Sequence, residues 1–143
     1  ELHGDTPECF TFAEPYAPSE LEKYLIEQYI SAYNTFDLDG MMSLLHPEIE
    51  FENISQGEVN AKASGASEFR AMAEQSKALC KSRKQTISRC DVSQNEASVA
   101  IIYEGILAQD LPNGIKSGST IILNGCSQFS FKDGKIWRIV DIS

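Results

Sequence analysis

The chain has no hydrophobic run near the ~20 consecutive apolar residues that a membrane-spanning helix needs. It is short of positive charge: 12 Lys and Arg stand against 21 Asp and Glu, a formal net charge of -9. Such a surface repels phosphate backbones and anionic lipid, so neither nucleic acid nor a membrane is an expected partner. Histidine is scarce, with only His3 and His46. They lie far apart in sequence with no acid pair beside them, so no metal is expected. The four cysteines, Cys9, Cys80, Cys90 and Cys126, form no CxxC pair and match no zinc spacing. An even count allows two disulfides, but a chain of 143 residues buries a core without staples. Reduced structural thiols are therefore the expectation.

Nucleotide and hydrolase signatures are missing as well. There is no GxGxxG, P-loop, HExxH or GxSxG. Asn113-Gly114 after Pro112 reads as a turn, not a phosphate loop. No cysteine has a histidine beside it, so a thiolate mechanism lacks local support. No cofactor is expected. The chain begins at Glu1 with no visible signal peptide, which leaves a trimmed start and a removed leader both open. A cytoplasmic setting is the favoured expectation.

The length and a composition of 42% hydrophobic and 23% charged residues indicate one globular domain. Residues 1–18 read as an N-terminal arm with three prolines, and 19–143 as the domain. Ser19 and Glu22 form a capping box that opens a helix. Leu21, Leu25, Tyr29, Ala32, Tyr33 and Phe36 recur at spacings of three and four and make its apolar face. Asp37 or Asp39 caps a short second helix from Gly40 to about His46, which Pro47 stops. Ile49–Ile54 alternates as a strand, with Phe51 and Asn53 on one face and Glu50 and Glu52 on the other. Gln56-Gly57 is a turn, followed by a short strand over 58–62. A third helix runs from Ala66 to Cys80. Strands follow at 85–92, 97–107, 119–131 and 135–142, with Asp133-Gly134 as the last hairpin turn. This order indicates an α+β domain: three helices packed in a cone against a strongly curved, mostly antiparallel sheet.

The helix QYISAYN, the turn DLDG, the strand LHPEIEFEN, Gly65 before the third helix, DLPNGIKSG and the final CSQFSFKDGKIWRIVDIS carry a family resemblance. In this order and spacing the chain resembles the nuclear transport factor 2-like superfamily, with a cystatin-like fold. Within it, the chain is most similar to the SnoaL-like polyketide cyclases and their ketosteroid isomerase relatives. The likeness covers about Ser19 to Ser143. It implies a conical pocket under the sheet and a homodimer. The superfamily hosts isomerases, cyclases, dehydratases, epoxide hydrolases and non-catalytic binders, so fold does not give function.

Ketosteroid isomerase uses an Asp base and a Tyr plus a protonated Asp as oxyanion donors. Carried onto this chain, the tyrosine falls on Tyr29, the base on Asn53 and the second donor on Ser127. An amide takes no proton at neutral pH, so that mechanism is not expected here. On the last strand the resemblance puts Trp137, Ile139 and Asp141 on the cavity side, with Arg138 and Val140 facing away. Asp141 is then the candidate acid/base, its pKa raised by desolvation. Tyr29 is the hydrogen-bond donor and Asn53 the orienting group. Tyr33, Phe51, Phe69, Met72, Tyr103, Ser127, Phe129 and Trp137 are the expected ligand-binding residues, with Val99, Ile101 and Ile121 beside them. A wall this apolar suits a small hydrophobic molecule. The expected function is cofactor-free proton transfer on a small apolar carbonyl compound: isomerisation, cyclisation or dehydration. The alternatives are a non-catalytic pocket for a hydrophobic ligand and a dimerisation module. Core packing for the tyrosines, and a solvated strand end for Asp141, are the plain structural readings. His46 reads as a helix-end residue that favours the dipole. Glu50, Glu52 and Glu104 read as a solvated outer face.

Overall fold

A computed structural model describes residues 20–93, 95–112 and 114–143. The expected arm, Ser19 as a helix cap, and Asn113 of the expected turn lie outside the described residues. The elements run α1 (Glu20–Asn34), α2 (Leu38–Ser43), β1 (Leu45–Ser55), β2 (Glu58–Ser64), α3 (Ala66–Lys77), β3 (Cys80–Ser93), β4 (Glu96–Leu107), β5 (Thr120–Lys132) and β6 (Lys135–Ile142). One six-stranded sheet has the order β2-β1-β6-β5-β4-β3. Every neighbouring pair is antiparallel except β1 and β6. The α+β architecture is thus the one expected.

In α1, Leu25, Ile26, Tyr29, Ile30 and Ala32 are buried, whereas Leu21 is 52% exposed and stands off the apolar face expected to include it. The capping box expected of Ser19 and Glu22 involves a residue outside the described ones, and Glu22 has a long-range partner. It is buried, and its Oε2 accepts the backbone N–H of Asn95 at 3.0 Å, tying the helix to the β3–β4 turn. Helix α1 ends where Phe36 takes a left-handed φ of 59°. Asp37 then caps α2, its Oδ1 accepting Gly40 N–H at 2.9 Å. Asp39, the other candidate cap, pairs instead with Arg70 of α3 at 2.8 Å. Replacing Asp37 with Ala should cost about 1 kcal/mol. Asp39→Ala should cost no more than about half of that, because the pair is exposed. Thermal denaturation of the two variants checks the order.

Helix α2 ends about three residues earlier than expected, and Pro47 lies inside β1. The proline is tolerated because the β1–β6 register is interrupted between Leu45 and Glu50, where no ladder N–H is required of it. His46 is therefore a strand residue. Its Nδ1 accepts Glu48 N–H at 3.0 Å and its Nε2 faces Asp133 Oδ2 at 3.3 Å. That ties β1 to the β5–β6 hairpin, where Asp133 and Gly134 supply the positive φ angles of 56° and 73°.

Bulges bend the sheet. Asn60 is unpaired in β2, Ser88 in β3 and Trp137 in β6. Along the concave face two cross-strand rows follow from the register. The inner row is Ala63, Phe51, Ile139, Phe129, Ala97 and Val92, all buried. The next is Ala61, Asn53, Asp141, Ser127, Val99 and Cys90. The first row is an apolar floor for the helices. The second brings three polar side chains side by side where the helices begin to leave the sheet.

Cysteine chemistry departs from expectation. Cys80 and Cys90 are free thiols, but Cys126 is disulfide-bonded. A domain of this size does not need the bond for its core, so its presence was not forced by length.

Candidate functional site

Between the concave face and the helices lies a cavity of about 390 Å³. Tyr29 and Tyr33 of α1, Met41 of α2, Phe69, Met72, Ala73 and Ser76 of α3, and Phe51, Asn53, Arg83 and Asp141 of the sheet line it, with Leu79 and Ala61 at its edges. A second chamber of about 190 Å³ shares Tyr33, Asn53 and Asp141 with the first. Gln85, Ile101, Tyr103, Leu123, Gly125, Cys126, Ser127, Ile142 and Ser143 complete its lining. Asp141 thus stands between a mainly apolar chamber and a more polar one. Gly125 is required at this junction: a Cβ there would come within 2.6 Å of the Ile142 carbonyl oxygen.

Asp141 is placed by register. It pairs with Asn53 of β1 on one side and Ser127 of β5 on the other. The buried Ser127 donates from Oγ to Asp141 Oδ1 at 2.5 Å. The residue keeps some solvent contact through the chambers, yet protein atoms crowd its carboxyl group. Burial pushes its pKa from 3.8 up to about 6, and the Ser127 hydrogen bond pulls the other way. The carboxyl therefore changes charge within the range useful for acid–base work.

The Tyr29 phenol is pushed well above its ordinary value by burial, and the nearby Asp141 adds to the rise. It stays a neutral O–H donor at any physiological pH, and it lines the larger chamber. Its ring packs edge-on against Phe129 at 6.0 Å between centroids. Tyr33 is raised by burial as well, with Arg83 pulling it back down. Asn53 donates from Nδ2 to Asn60 Oδ1 at 2.6 Å. Asn60 is the bulge residue of β2, and Asn53 lines both chambers. Tyr103 is raised by burial and by its contact with Cys80, whose Sγ lies 3.3 Å from the Tyr103 hydroxyl.

The sequence-based candidates divide. Tyr29, Tyr33, Asn53, Phe51, Phe69, Met72 and Asp141 line the larger chamber. Tyr103, Ser127 and Ile101 line the smaller one. Phe129 lines neither: it is 2% exposed and lies in the floor between Tyr29 and Phe131. Val99, completely buried, belongs to the core in the same way. Trp137 is outside the cavity altogether. Ser130 pairs with Arg138 and Phe131 with Ile136, so Trp137 is the extra residue of a bulge. It turns to the outer surface beside Glu50, Glu52, Lys62 and Arg138, with Lys132 Nζ 5.6 Å from its ring.

Sequence reasoning missed Arg83. It is 5% exposed, and its Cζ stacks 3.7 Å from the Tyr33 ring centroid and 4.5 Å from that of Phe36. Its Nε donates to the Tyr33 carbonyl at 3.1 Å, at the end of α1. Beside it, Asn34 exchanges two hydrogen bonds with the Gln85 backbone, at 2.7 and 3.1 Å. The signal was present: Arg83, Gln85 and Ile87 alternate on the concave face. A strand taken to begin at Gln85 leaves Arg83 in a loop.

Among the described residues no cluster of His, Cys, Asp and Glu could hold a metal ion, and no helix is long and apolar enough to cross a membrane. The architecture is that of three helices packed against a bent, mostly antiparallel sheet, with Asp141 on its last strand. The chain is a member of the SnoaL-like domain family, whose model matches residues 26–139. In structure it is similar to a proposed polyketide cyclase from Xanthomonas campestris pv. campestris, at a TM-score of 0.69 and 19% identity, covering 87% of this chain and 90% of that one. A cystatin-fold protein from Novosphingobium aromaticivorans aligns at 0.70 and 18% identity, over 89% and 100%. An LEH-like epoxide hydrolase from M. tuberculosis aligns at 0.66 and 15% identity, over 83% and 79%. A comparison with curated proteins gives no match. Likeness at these identities establishes the fold and leaves the chemistry to the residues.

Proposed function

We propose that the cavity is the active site of a cofactor-free enzyme that moves a proton on a small, largely apolar carbonyl compound. The observation that carries this is Asp141, held by Ser127 at 2.5 Å between the two chambers with its pKa lifted to about 6. Above that pH the carboxylate takes a proton from carbon next to a carbonyl. Tyr29, kept neutral by burial, donates to the oxygen on which charge develops. Asn53 orients the carbonyl through the second N–H of its Nδ2, or a water through its Oδ1. Polyketide cyclisation, isomerisation and dehydration share this step, and the similar solved structures include a proposed cyclase. Solvent-deuterium exchange into a panel of cyclic ketones and β-diketones tests the reading. Exchange should rise with pH through about 6 and then level off. No exchange above the buffer rate for any compound, with binding of the same compounds intact, would leave a non-catalytic pocket as the better reading.

A homodimer through the convex face is part of the same proposal. Ile102 and Ile106 of β4 and Ile122 of β5 lie on that face at 38%, 38% and 61% exposure. An apolar cluster on an open sheet is covered at a modest entropic cost by a second copy of itself. Light scattering should give twice the chain mass for the native protein and the chain mass for Ile122→Lys. A native monomer at micromolar concentration would sink the dimer.

A further inference from the structure

We propose that Arg83 is an anion-binding residue of this cavity, taking an ionised oxygen of the ligand through its unpartnered Nη2. The inference rests on the reading of the cavity as a small-molecule site and specifies the substrate class: an organic anion with an otherwise apolar body.

The guanidinium is nineteen-twentieths buried and lines the chamber that Tyr29 and Asp141 also line. Its contacts among the described residues are all with neutral groups. Nε donates to the Tyr33 carbonyl, Nη1 lies 3.4 Å from Ser76 Oγ, and the plane stacks on Tyr33 and Phe36. Those contacts explain why an arginine closes the end of α1, where a cation also suits the helix dipole. They leave Nη2 unexplained. Among the described residues it is the one buried side-chain nitrogen or oxygen with no hydrogen-bond partner. No carboxylate among the described residues pairs with this guanidinium, and Asp141 is held by Ser127 instead. Burying a cation away from water is costly unless an anion meets it. The missing counter-charge is what the cavity is shaped to receive.

The geometry also narrows the anion. Nε–H is taken by the Tyr33 carbonyl, which closes the side-on fork, while Nη2 keeps both of its N–H groups for an ionised oxygen. An ionised enol or phenol, conjugated with the carbonyl that Asp141 would act beside, places one such oxygen on an apolar body. A carboxylate bound through a single oxygen is the other source of the same chemistry.

The test uses the purified full chain and two matched probe pairs at pH 7.5: 2-hydroxy-1,4-naphthoquinone with its methyl ether, and 2-naphthoate with its methyl ester. Calorimetry gives the affinity of each for wild type and Arg83→Gln. Wild type should hold at least one anion about tenfold or more tighter than its neutral twin, the scale of one charge-assisted hydrogen bond. In Arg83→Gln that preference should shrink to within about twofold, while the neutral twin binds as before. Whichever pair shows the effect identifies the source of the oxygen. Equal affinity within both pairs in wild type overturns the proposal, and so does a preference that survives in Arg83→Gln. If that variant does not fold, the Arg83 Nε–H resonance of wild type decides. A shift with the anion and none with its twin supports the proposal; no shift with either anion overturns it. Asp141→Asn removes a like charge from the same chamber, so the anion preference should persist or grow whether or not Asp141 is catalytic, and the acid–base reading and the anion site fail separately.

Discussion

Asp141→Asn should lower proton-transfer turnover by about 10²–10⁴, the range of a positioned general acid or base, while affinity for a neutral ligand changes little. The replacement keeps the shape and keeps a carbonyl oxygen to accept the Ser127 hydroxyl, which now bonds Asp141 Oδ1 at 2.5 Å. It removes only the capacity to take a proton. Residual activity should also lose its rise through pH 6. Turnover within about threefold of wild type, measured on any compound that shows exchange, would remove Asp141 from the mechanism and point to Tyr29 or to bound water.

The same variant should be more stable than the native protein, and only above a certain pH. The carboxyl titrates at 3.8 when unfolded and at about 6 when folded. The folded state thus holds the proton more tightly, and the group's contribution to stability is fully present below pH 3.8 and lost as pH rises through 6. The shift corresponds to about 3 kcal/mol. Since the residue keeps some solvent contact, about 1–2 kcal/mol is the realistic gain at pH 7.5. For a chain of this size that is a Tm rise of about 2–8 °C. The gain should vanish below pH 4. Gain in stability with loss of turnover is the pattern of a group kept against its own folding cost for its chemistry.

Much of this site was legible in the sequence because strand phase is strict. Once Asn53 and Asp141 are put on the concave face, alternation carries Phe51 and Ile139 to the same side, and the register sets them in adjacent rows. Phase fails where the ladder slips by one residue. Trp137 has the parity of Asp141 but sits at a bulge, and a bulge leaves no mark in hydrophobic alternation. Arg83 was missed for a different reason: a charged residue at a strand start looks like a loop, and only the α1 end that it closes explains its burial. Glu22 shows a third limit. Its spacing from Ser19 suggests a local role, and nothing in the sequence signals that its Oε2 also accepts a tertiary donor, Asn95 N–H. Local chemistry names the groups able to bond; the fold decides which partner reaches them.

Phe69→Ala should be the most damaging single change to the helical wall, at about 3–5 kcal/mol. Phe69 is 2% exposed and packs edge-on against Phe51, with ring centroids 5.7 Å apart and planes at 79°. It therefore supports the sheet floor and bounds the cavity at once. Urea denaturation should show a lower midpoint with an unchanged slope, and Tm should fall by about 6–20 °C. Met72, one helical turn away on α3, lines the cavity but is only partly buried. Its truncation to Ala should cost less than half as much, because solvent or ligand already meets part of its side chain. The two variants thus separate core from wall. A bulky ligand should recover part of the stability lost in Phe69→Ala, by occupying the space that the ring vacates. Equal losses for Phe69→Ala and Met72→Ala, with no recovery by any ligand, would mean that α3 packs as plain core. In that case the chamber is no binding site.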